Sequence, residues 1–78
     1  MTDRHWNYRV MRFTQPTGET HYAIHEVHYE NDKPVGYTEN PAVVLWEEEG
    51  TSAPLLILGK MMACLDKEIL TEQDFNKS

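Results

Sequence analysis

Cysteine is nearly absent from this chain. Cys64 is the only one in 78 residues, so no intrachain disulfide can staple the fold, and a single thiol is expected in a reducing compartment. Glycine is sparse as well. Gly18, Gly36, Gly50 and Gly59 lie far apart, which excludes a glycine-rich loop cradling a phosphate. Long apolar runs are missing. The longest, Pro54 to Leu58, falls far short of the roughly 20 residues that span a bilayer, and the opening "MTDRHWNYRVMR" has no apolar run of signal-peptide length. Positive charge is the last scarcity, with 7 Lys and Arg against 13 Asp and Glu for a net charge of −6. Nucleic-acid binding draws its affinity from neutralised phosphates, and this chain has little to offer them. No direct nucleic-acid contact, no membrane contact and a cytoplasmic location are the expectations.

What is present is one small domain, residues 1–78. A chain this short buries only about 60–65% of its unfolded surface, so its own core is thin. Trp6 to Thr14, "WNYRVMRFT", is rich in aromatic and β-branched residues, "QPTGE" punctuates it, and "THYAIHEVHY" follows from Thr20 to Tyr29. The pattern predicts an antiparallel hairpin with strands at 6–14 and 20–29. A short strand is expected at 34–38, and "AVVLW" at 42–46 is either an edge strand or an extended crossing. Thr51 and Ser52 are candidate caps and Pro54 suits a first turn, so a helix is expected over 53–67, with 76–78 frayed. The fold class is α+β, a three- to four-stranded antiparallel sheet, N-terminal hairpin first, packed against one C-terminal helix.

Placing Thr14 opposite Thr20 pairs Val10 with Ile24, Tyr8 with Glu26 and Trp6 with His28. The face carrying Trp6, Tyr8, Val10, Tyr22 and Ile24 is expected under the helix. The opposite face also holds apolar residues, namely Met11, Phe13, Ala23, Val27 and Tyr29, and a one-residue slip would exchange the two. On the helix, Leu55, Leu58, Met62 and Leu65 form one stripe at spacings of 3, 4 and 3, expected to close on the sheet. Ile57, Met61 and Cys64 form an adjoining stripe. Together they cover about half the circumference, wider than the stripe of roughly 100° that one small sheet needs. The surplus predicts a second apolar contact, either the "AVVLW" segment or another copy of the chain. The expected packing and interface residues are Ile57, Leu58, Met61, Met62, Cys64 and Leu65.

Catalytic and metal chemistry find little support. His21 and His25 share a strand face but lie about 13 Å apart, and His28 faces the other way. No cysteine pair or helical H-x-x-x-H completes a ligand set. Cys64 is expected buried and inert, and Ser52 and Thr51 read as caps. No catalytic residue, metal or cofactor is expected. Glu47, Glu48 and Glu49 form the one dense charge run, a candidate acidic docking patch for a basic protein partner.

Four fragments, "YRVMR" at 8–12, "YAIHEVHY" at 22–29, "PVGYTENP" at 34–41 and "ACLDKEIL" at 63–70, resemble in the same order a family of small, uncharacterised bacterial proteins, mostly proteobacterial. The resemblance covers most of the chain and implies no activity. Members of that family carry a more polar, Leu/Glu-patterned helix, from which "TSAPLLILGKMMACL" departs. Element order alone is also similar to the compact domain of HicB-type antitoxins, which would imply a dimer presenting an acidic surface to a basic toxin. The function expected from these residues is that of a non-enzymatic protein-interaction module, a homodimer. The alternative is an acidic inhibitor or antitoxin-like protein, phage-borne inhibitors included, that occludes a basic nucleic-acid-binding partner.

Overall fold

The computed structural model describes residues 3–47 and 49–75. Its first half is the hairpin that the turn residues dictate. Strand β1 spans Arg4–Thr14 and β2 spans Thr20–Glu30, paired antiparallel with Thr14 opposite Thr20, Val10 opposite Ile24 and Trp6 opposite His28. Gly18 takes φ +94° in the connecting turn, where an L side chain would be strained. Strand β3, Lys33–Tyr37, returns antiparallel along β2 after a two-residue turn. Asn31 and Asp32 both adopt positive φ there, 50° and 67°. That is the mirror-type turn whose twist matches the strands it joins. Pro34 is tolerated because β3 is an edge strand.

The fold class is α+β; one choice the sequence left open is decided, and two details differ from the expectation. First, residues 42–46 are the extended crossing and not an edge strand. Thr38 N–H and Ala42 N–H still donate to the carbonyls of Glu26 and Ile24, at 3.1 and 2.8 Å, but Pro41 breaks the ladder between them. Second, the fourth strand is β4, Leu70–Thr71, lying parallel to β1 opposite Met11 and Arg12. The sheet is therefore mixed, in the order β3-β2-β1-β4. Third, helix α1 runs Ser52–Cys64 and stops three residues early. Asp66 and Lys67 donate to Ala63 and Cys64 in tight i→i−3 bonds, as helix ends often do. Thr51 occupies the N-cap position but makes no side-chain cap bond, and the first turn holds no acid.

The core lies on the face opposite to the one expected. Met11, Val27, Tyr29 and Leu70 are its buried cluster, with Phe13, Tyr37 and Phe75 packed against it. Phe75 closes a 3₁₀ turn at Glu72–Phe75, anchored by the Asp74 carboxylate accepting from Thr71 N–H at 2.8 Å. Leu70 and Phe75, delivered by the end of the chain, cover this face. The helix instead lies against β1. Val10 and Ile24, on the other face, are half-buried.

Candidate interaction surface

The stripe of α1 that the fold hides is Pro54, Met61 and Cys64, with Ile57 half-buried. The stripe expected to close on the sheet faces outward instead. Leu55 is 63% exposed, Leu56 69%, Leu58 45%, Met62 69% and Leu65 64%. Both stripes repeat at 3, 4 and 3 and differ by one position, so periodicity could not separate them. The fold buries the one with smaller residues at its ends, Pro54 and Cys64. Met61 and Cys64 are consequently spent inside the protomer, whereas Leu58, Met62 and Leu65 are free for contact.

Beneath Cys64, Arg9 ties the helix exit to the sheet. Its guanidinium donates to Tyr29 Oη at 2.9 Å and to the Glu68 carbonyl at 2.6 Å. Burial pushes the Cys64 thiol above its ordinary value of 9.0, with the charges of Arg9 and Lys67 pulling the other way. On the other flank His25, buried, donates from Nδ1 to the Thr38 carbonyl at 2.8 Å. Its ring meets Phe13 and Tyr37 edge-on, with centroids 5.3 and 5.8 Å away. This histidine is a structural hydrogen-bonding residue on the core face.

The "AVVLW" segment does not roof the helix. Val43 and Leu45 are 72% and 73% exposed, and Trp46 is nearly half exposed. Glu47 and Glu49 are exposed beside it, and Glu48 lies outside the described residues. Trp6 and Tyr22 add to the apolar surface on the sheet side. Sequence reasoning placed Leu55 in the stripe that closes on the sheet and left Leu56 out of both stripes, yet the pair carried a signal. Adjacent leucines lie about 100° apart on a helix, so one narrow sheet contact cannot hold both.

One cluster of ligand-type side chains went unread. Asp3, His5 and Asp32 bring donor atoms within 4.8 Å of one another, all exposed. Asp32 reaches it from the β2–β3 turn, which is bonded to Asp3 through Asn31 at 2.8 and 3.1 Å. Spacing along the chain does not show this set, but the hairpin register, with Arg4 opposite Glu30, carries the signal by bringing the two sheet ends together.

Comparison with family models, with curated protein sequences and with solved structures gave no match. No helix among the described residues is long and apolar enough to cross a membrane.

Proposed function

We propose that this chain is a small, non-enzymatic protein-interaction module that acts as a homodimer in the bacterial cytoplasm, where a lone thiol stays reduced. One observation carries the reading: the helix turns Leu55, Leu56, Leu58, Met62 and Leu65 to solvent. Scattered apolar side chains on a surface are ordinary, but a contiguous patch of them marks a contact site. Sedimentation equilibrium from 1 to 100 µM tests it, those concentrations being chosen to be about those of ordinary protein contacts. A mass moving from one chain to two supports the homodimer, and a single-chain mass throughout overturns it.

A second reading is favoured by the exposed Glu47 and Glu49 beside the half-exposed Trp46. An acidic rim around an aromatic anchor suits an inhibitor that covers a basic nucleic-acid-binding surface. For such a partner, replacing Glu47, Glu48 and Glu49 by Gln should slow association and flatten its salt dependence. Unchanged kinetics at low salt would remove the patch from consideration.

A further inference from the structure

The face that α1 leaves uncovered has a glycine at its middle. At about 100° per residue, the buried stripe of Pro54, Ile57, Met61 and Cys64 centres on one side of the helix, and Gly59 falls almost opposite. Leu55 and Met62 flank it on one side and Leu56 on the other, each more than 60% exposed. Within the protomer this glycine has no task. Among the described residues a Cβ at this position would meet nothing within 4 Å, and its φ lies outside the left-handed region. Mid-helix glycine weakens a helix relative to alanine, so neither turn geometry nor packing in the single chain accounts for it. A glycine with open space on an apolar helix face is what permits a second backbone to approach closely.

The size of the exposed surface points to the occupant. The chain exposes 6295 Å², where a folded monomer of its mass exposes about 4,900 Å². Its radius of gyration is 14.2 Å, against about 11.5 Å for a compact chain of this length. The excess of roughly 1,400 Å², taken over the whole chain with its exposed 43–46 segment, is large enough to include the ~800 Å² that each partner contributes to a standard interface. A second copy brings an identical apolar face, and a two-fold axis needs only one patch that complements itself.

We infer that α1 packs against α1 of a second copy across a two-fold axis passing near Gly59, which serves as the helix-crossing point. Leu55 of each protomer then meets the partner's Met62 on either side of the axis. This rests on the homodimer reading and specifies its geometry.

Gly59→Ala tests it, because the two outcomes have opposite signs. In the free protomer the added methyl meets nothing and favours the helix, so folding is unharmed. At a crossing point it appears twice and holds the helices apart. Sedimentation equilibrium should show a dimer dissociation constant at least tenfold larger, with helical circular dichroism undiminished. A Gly59→Cys chain carrying Cys64→Ala, held at a concentration high enough to offset its weakened association, should be trapped as an interchain disulfide on mild oxidation, since the two positions face each other near the axis. If the wild-type chain dimerises but Gly59→Ala binds as tightly or more tightly and the cysteine variant does not cross-link, the crossing point is wrong and the homodimer stands. If the wild-type chain stays a monomer up to 100 µM, both fall, and anionic lipid vesicles bound by that monomer would assign the face to a membrane surface instead.

Discussion

Cys64 takes the packing half of the packing-or-interface role expected of it. It was expected on an apolar helix face shared between packing and interface, and it is almost wholly buried against β1, 1% exposed. Its burial raises the thiol above the ordinary 9.0. The folded chain therefore keeps this proton where the unfolded chain has lost it. The unfolded state binds fewer protons there, so stability falls as pH rises. The contribution is complete below about pH 9 and is lost as pH climbs through the raised folded value. Tyr37, also raised, by burial and by the Glu72 charge, adds a loss of the same sign above its ordinary 10.0. Urea midpoints measured at intervals from neutral pH upward should fall on the alkaline side, and Cys64→Ala should remove the earlier part of that fall. In the native state at mildly alkaline pH, a thiol reagent should label Cys64 far more slowly than in urea. Equal rates would mean that the helix exit opens freely.

At the scale of elements, the β2–β3 turn makes the most direct prediction. Asn31 and Asp32 hold φ of 50° and 67°, a conformation that costs most L residues about 1–2 kcal/mol and Asn or Asp somewhat less. Asn-Gly is the preferred pair for such a turn. Asp32→Gly should raise stability by about 0.5–1 kcal/mol, seen as a higher urea midpoint with an unchanged slope. A lower midpoint would show that the Asp32 carboxylate holds the sheet end together with Asp3 and His5. The same scale explains what was legible beforehand. The hairpin register could be read residue by residue because Pro16 and Gly18 pin its turn and the strands are long. The choice of face could not, since Val10 and Ile24 compete with Met11 and Val27 at equal periodicity. Only Leu70 and Phe75 decide between them. They arrive on a two-residue strand and a 3₁₀ turn, elements too short to carry a pattern. The exposed apolar residues of α1 were legible as a surplus of apolar surface, but not as to which half of the surplus faces out.

For the molecule as a whole, charge and apolar surface act on association with opposite signs, and salt separates them. Each chain carries a net −6, so two copies repel one another, whereas burying their exposed helix faces would favour association. Added salt shortens the reach of that repulsion, to about 8 Å at physiological ionic strength, and leaves apolar burial intact. A homodimer of this chain should therefore tighten as sodium chloride rises from low to moderate concentration. Docking onto a basic partner would weaken over the same range, because there the charges attract. Thermal stability follows by mass action, since whatever binds only the folded state raises the melting temperature in proportion to the logarithm of its concentration. Melting curves at several protein concentrations, each in low and moderate salt, read both effects together. The expected pattern is a melting temperature that climbs with protein concentration, and a dimer dissociation constant, from parallel sedimentation runs, that falls with salt. Melting independent of concentration would leave a protomer with a thin core standing alone behind its exposed leucines. A dissociation constant that rose with salt would place attractive charge pairs, absent from the α1 face, at the centre of the interface.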